Sequence, residues 1–170
     1  MKPVEIAKKT IQLFVKEGKI FIPPAKVEDL EVNKAGVFVS IKTLDANLRG
    51  CIGTILPQKE TVAQEIVYNA ISAATEDPRF LPIQENELDN LVISVDILCP
   101  PEDISSTDEL DVKKYGVIAA SKSGRRGLLL PDLEGVDTVE RQIQICKMKA
   151  GISENEPISL QRFKVERYYE

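Results

Sequence analysis

The chain has 170 residues, 43% of them hydrophobic and 29% charged, which is enough to bury a real core as one domain spanning 1–170. A net charge of −5 and an isoelectric point near 5.0, with no basic run, argue against an electrostatic grip on nucleic acid. The apolar stretches are strand-sized and the first residues lack the apolar core of a signal peptide, so the expected protein is cytoplasmic and has no membrane partner.

Pro3 suits a first helical turn, and Val4, Ala7, Ile11 and Phe14 recur at helical spacing until Gly18, which predicts a helix over 3–17. After Pro23-Pro24, Val37, Val39 and Ile41 alternate along a half-buried strand. The turn residues Asp45-Ala46-Asn47 lead into a hairpin partner over 48–55. Thr61 and Gln64 form a capping-box pattern ahead of an apolar stripe, which predicts a helix over 62–74. The Val- and Ile-rich run 91–98 reads as a buried strand halted by Pro100-Pro101. A second hairpin is expected over 115–121 and 127–130 around Ser123-Gly124, then a helix capped by Asp137 and ended by Gly151, and a last strand over 159–169.

The two halves echo one another. Thr61-Val62 and Ile66 match Thr138-Val139 and Ile143, each threonine stands the same distance after an Arg-Gly pair, Arg49-Gly50 or Arg126-Gly127, and Gly36-Val37 matches Gly116-Val117. These matches suggest an internal duplication of hairpin then helix, about 36–75 and 116–151, with the strands joining one antiparallel sheet.

The chain contains no histidine, which excludes Cys-His and Ser-His dyads and imidazole-ligated metals. Cys51, Cys99 and Cys146 are too few and too widely spaced for a disulfide framework or zinc ribbon. No dinucleotide fingerprint, phosphate loop or Asp/Glu cluster with ligand spacing occurs, so neither cofactor nor metal is expected. Cys51 lies between Gly50 and Gly53, two residues from Arg49, and supports two readings: an accessible thiol favoured as thiolate by a nearby guanidinium, or a small buried hydrophobe beside glycines that serve packing. The run from Asp77 to Pro82 is either a structural Asp-Arg bracket anchored by Phe80 or a place where Arg79 meets an anion or carbonyl. Arg125-Arg126 at a hairpin tip is either a solvated turn or a further anion grip. Cys146, on an apolar stripe, reads as core. Asp96, an acid inside an apolar strand, requires a partner and joins Glu65 and Tyr115 as a candidate for proton transfer.

Leu48-Arg49-Gly50-Cys51-Ile52-Gly53 resembles the hexapeptide that defines the AMMECR domain family. The likeness extends through Asp77-Pro78-Arg79-Phe80, Pro82, Ser94-Val95, the glycine-leucine pattern from Gly124 to Pro131, and Cys146 with Lys149-Ala150-Gly151, so it covers nearly the whole chain. The short N-terminus is similar to the bacterial branch called AmmeMemoRadiSam system protein A. The resemblance implies an α+β fold in which two hairpin-plus-helix repeats form one largely antiparallel, barrel-like sheet flanked by helices. It also implies a cleft beside the hexapeptide, with no established reaction. On that basis Cys51 and Arg49 are the expected catalytic residues and Gly50, Gly53, Asp77, Arg79 and Arg126 the expected contacts to a small anionic or carbonyl ligand. The alternative is a non-catalytic partner of a Memo-like protein and a radical SAM enzyme. Lys114-Tyr115-Gly116 stands where the family commonly has Lys-His-Gly, and Asp132 where it has Gln, so no mechanism through that histidine carries over.

Overall fold

Proline at the first helical position and the Glu5 carboxylate, which accepts the Lys2 N–H at 3.0 Å, start the first helix, α1 (Pro3–Glu17); Gly18 at φ 66° ends it. A computed structural model describes residues 1–169, so Glu170, the last residue of the expected domain, lies outside the described residues. The chain divides into two compact units, Met1–Ile97 with the C-terminal residues from Glu166, and Leu98–Val165.

In the first unit, β1 (Gly36–Thr43) pairs antiparallel with β2 (Leu48–Thr54), and α2 (Val62–Thr75) follows. Thr61 caps α2 as the sequence predicts: its Oγ accepts the Gln64 N–H at 3.2 Å and Gln64 Oε1 accepts the Thr61 N–H at 3.3 Å. The sheet runs β2-β1-β3-β8, with β3 at Leu91–Leu98 and β8 at Val165–Tyr169. Val37, Val39 and Ile41 are fully buried, in one core with Ile66 and Ala70 of α2 and Ile6 and Ile11 of α1. Each such aliphatic chain contributes about 2 kcal/mol by leaving water, so this core holds the hairpin that carries the hexapeptide.

In the second unit, β5 (Gly116–Ser121) pairs with β6 (Arg126–Leu129), and α3 (Val139–Ala150) follows. This sheet runs β4-β7-β5-β6, with β4 at Glu102–Asp103 and β7 at Ile158–Phe163. Val117, Ala119, Leu129 and Cys146 make its core.

The expected α+β class and the two hairpin-plus-helix modules are present. The single barrel-like sheet is not: among the described residues the strands form two four-stranded sheets, each with open edges, and no closed barrel. The tail expected as one strand breaks at Lys164, whose carbonyl accepts the Cys99 N–H at 2.9 Å, so β7 and β8 join different sheets. The third helix is capped by Thr138, whose Oγ accepts the Arg141 N–H at 3.2 Å, rather than by Asp137.

Candidate functional site

The hexapeptide is β2, an edge strand of its sheet. Its register against β1 shifts between Ile41 and Lys42: Lys42 faces Leu48 and Ile41 faces Gly50, which leaves Arg49 as the extra residue of a bulge. Unshifted pairing would set Cys51 opposite Val39; the bulge sets it opposite Ser40. Cys51 therefore leaves the Val37-Val39-Ile41 core face and is half-buried, its Sγ 3.1 Å from Ser40 Oγ.

The glycines earn their places against neighbours. A Cβ on Gly50 would strike the Ala73 carbonyl of α2, and one on Gly53 would fall into the Phe38 ring. Both allow close packing of the strand, Gly50 against α2 and Gly53 against Phe38.

The unpaired side of β2 is occupied at its centre. After α2 ends, the turn through Pro78 closes with the Phe80 N–H donating to the Asp77 carbonyl at 3.1 Å, which aims the Asp77 side chain at the strand edge. Asp77 Oδ2 accepts the Cys51 N–H at 2.9 Å. The same carboxylate takes Arg79 Nε at 2.9 Å and Nη2 at 2.7 Å, while Nη2 also donates to the Cys51 carbonyl at 3.3 Å. Asp77 is 4% exposed. The bidentate Arg79 guanidinium, then the Cys51 and Arg79 N–H groups, hold its carboxyl well below the usual carboxylate range despite burial. The Arg79 side chain is 55% exposed, and its Nη1 makes no hydrogen bond among the described residues.

Arg49, expected to activate the thiol, turns elsewhere because the bulge re-aims it. Its Nε and Nη2 meet Glu87 at 2.8 and 2.9 Å, and Nη1 donates to the Leu81 carbonyl at 2.9 Å. That ion pair lowers the Glu87 carboxyl from its ordinary value. Phe80 lies near both guanidiniums, 5.5 Å from Arg79 and 6.0 Å from Arg49. Arg49 thus anchors the loop that Arg79 stands on.

The structure therefore brings Cys51, Asp77 and Arg79 together, gives Arg49 a supporting position, and sets Arg126 exposed on β6 of the second unit. Ser40 and Glu87 were missed by sequence reasoning; Ser40 would have been found only by placing the bulge, and Glu87 had no spacing signal. The other acids are committed to structure: Asp96 forms a bidentate pair with Arg167 at 2.6 and 2.9 Å, and Glu65 accepts the Thr54 hydroxyl and the Gln58 and Lys59 N–H groups at 2.5 to 2.8 Å. The Tyr115 ring lies 4.4 Å from the Arg162 guanidinium. Among the described residues no group of three or more His, Cys, Asp or Glu side chains is placed to hold a metal, and no helix is long and apolar enough to cross a membrane.

The AMMECR1 family model matches residues 4–169. The chain belongs to the AMMECR1 family. A Thermotoga maritima protein is 53% identical over 167 residues, covering 97% of this chain and 95% of that protein. A longer Clostridium acetobutylicum protein is 43% identical over 169 residues, 98% of this chain but 36% of its own length. The crystal structure of an uncharacterised Pyrococcus horikoshii protein superposes with a TM-score of 0.85 at 30% identity, covering 99% of this chain and 89% of that one. Like that AMMECR1 relative, the chain carries the mixed α+β fold.

Proposed function

We propose that this AMMECR1 protein binds a small anionic or carbonyl-bearing ligand at the centre of β2, with Arg79 as the oxygen clamp and Cys51 as the reactive thiol. The observation that carries this reading is the state of Arg79: fixed on a buried carboxylate, exposed to solvent, bonded through Nη2 to the carbonyl of the residue that bears the half-buried thiol, and with Nη1 uncommitted among the described residues. A guanidinium immobilised in advance loses little freedom on gripping an oxygen. With a carbonyl ligand, the Cys51 thiol loses its proton to solvent and the sulfur bonds to the carbonyl carbon. The C=O π pair moves to oxygen, where Arg79 stabilises the charge. Asp77 holds the cation and does not move the proton, since its carboxyl is kept ionised.

Docking of a Memo-like or radical SAM partner by strand addition is the weaker reading. Strand addition requires outward N–H and C=O groups, and those of Cys51 are already taken by Asp77 and Arg79.

The test is protection from alkylation. Acetate and pyruvate are the simplest carboxylate and carbonyl-bearing probes. Either should slow maleimide labelling of Cys51 in the wild type and neither should do so in a folded Arg79→Gln variant. Protection by neither in the wild type, or equal protection in both proteins, would contradict the assignment.

A further inference from the structure

In the first unit a second surface departs from the charge of the whole. Gly18 turns the chain back after α1, so that Phe21 lies half-buried against the helix and closes a groove of about 370 Å³ with Lys9, Gln12, Leu13, Lys16 and Glu17. Lys9, Leu13 and Lys16 are three to four residues apart and share a face of the helix. Leu13 and Phe21 are the apolar members of the lining, both half-buried. The one acid in the lining, Glu17, is held by Lys19 at 2.9 Å. Lys9 and Lys16 have no hydrogen-bond or ion-pair partner among the described residues. A protein of net charge −5 thus presents here a groove with two apolar residues, Leu13 and Phe21, whose free charges are both positive. Next to Phe21 in sequence, though not in the lining, Ile20 and Ile22 are 50% and 88% exposed.

We infer that this groove is a docking site for an acidic segment of a partner protein, one that seats an apolar anchor between Leu13 and Phe21 and sets carboxylates against Lys9 and Lys16. The volume is near the lower end of ligand pockets, which suits one or two anchor side chains better than a cofactor. Charge complementarity selects the partner's sign: an acidic segment satisfies both lysines, while a basic one meets like charge at each end.

Binding of a fluorescein-labelled acidic peptide with the sequence Asp-Glu-Asp-Leu-Phe-Asp-Glu-Asp to the full chain, followed by anisotropy at low and moderate salt, tests this. The wild type should bind it with an affinity that falls as salt rises. Lys9→Glu with Lys16→Glu, both exposed and checked for an unchanged melting temperature, should weaken binding by about tenfold or more. A peptide with Lys for each acid should not bind. Three results would overturn the inference: no binding by the wild type, equal binding by the double variant, or capture by anionic phosphatidylserine vesicles with no peptide binding, which would mark a lipid surface. Self-association lost in the double variant, again without peptide binding, would overturn it in favour of a second copy.

Discussion

The two hairpin-plus-helix modules share a backbone plan and differ in what they put on it. In both, an Arg-Gly pair opens or lies in the outer strand, the glycine lies against a helix carbonyl, Ala73 for Gly50 and Cys146 for Gly127, and a threonine caps the helix. Two residues after the arginine the modules part. Cys51 faces Ser40 on a half-open surface, while Leu128 faces Ile118 and both are buried. Four residues after the caps, Glu65 is satisfied by three donors, whereas Gln142 donates to the Tyr115 carbonyl at 2.9 Å and leaves its Oε1 buried without a partner among the described residues. The scaffold therefore has no need of a thiol-hydroxyl pair at this position. The first module departs from the apolar solution where the candidate site lies.

The shared part of the plan should fail alike in both modules. Gly50→Ala and Gly127→Ala each drive a Cβ into helix backbone that cannot yield as a side chain tip would. Each should cost about 3 kcal/mol in urea denaturation, at the upper end of overpacking effects. Tolerance of one and not the other would break the equivalence.

The buried polar residues should separate the modules. Glu65→Gln exposes an amide to donors that a carboxylate satisfied and should cost about 2 kcal/mol. Gln142→Leu gives up one hydrogen bond but also an unsatisfied oxygen, so its cost should stay under about 1 kcal/mol.

Ionisation gives a third contrast, with opposite signs. Asp77 has a lowered carboxyl, so its contribution is present above the ordinary carboxylate range and is lost as pH falls through its folded value. Asp77→Asn should destabilise by about 2 kcal/mol at pH 7, by less at pH 3, and leave the fold intact. Cys146, fully buried in the second module, is pushed by burial from 9.0 up to about 11. Its contribution is complete below pH 9 and is lost between 9 and 11, as the unfolded thiol ionises first. Wild type should therefore lose up to about 2 kcal/mol more than Cys146→Val over that interval.

The smallest effect should be at Ser40. Ser40→Ala removes a half-exposed contact to Cys51 and should change stability by less than about 1 kcal/mol, while altering the rate at which Cys51 is alkylated.

Helical periodicity, the Thr61 cap, the Gly18 and Gly151 stops and both hairpins could be read from residues because each is a local signal. What escaped was set at a distance. The bulge at Arg49 shifts register by one residue, and with period-two side chains that decides both what Cys51 faces and where the Arg49 side chain goes. The expectation that Arg49 and Cys51 act together rested on their nearness in sequence and on the family resemblance, neither of which reveals a bulge. The break at Lys164 likewise shows only when two sheets exist to receive β7 and β8. Asp77 and Arg79 were visible as a stiff charged turn, but which role the turn plays depended on its reach to the edge of β2.

The most direct test of the central claim compares Cys51 alkylation by iodoacetate and by iodoacetamide in the folded protein at low salt, with the unfolded chain as reference. If Arg79 recruits anions to the thiol, the rate ratio should favour iodoacetate at Cys51 relative to the unfolded chain, and Arg79→Gln should return it to the reference value. A ratio already equal to that of the unfolded chain in the wild type, or one unmoved by Arg79→Gln, would contradict the account.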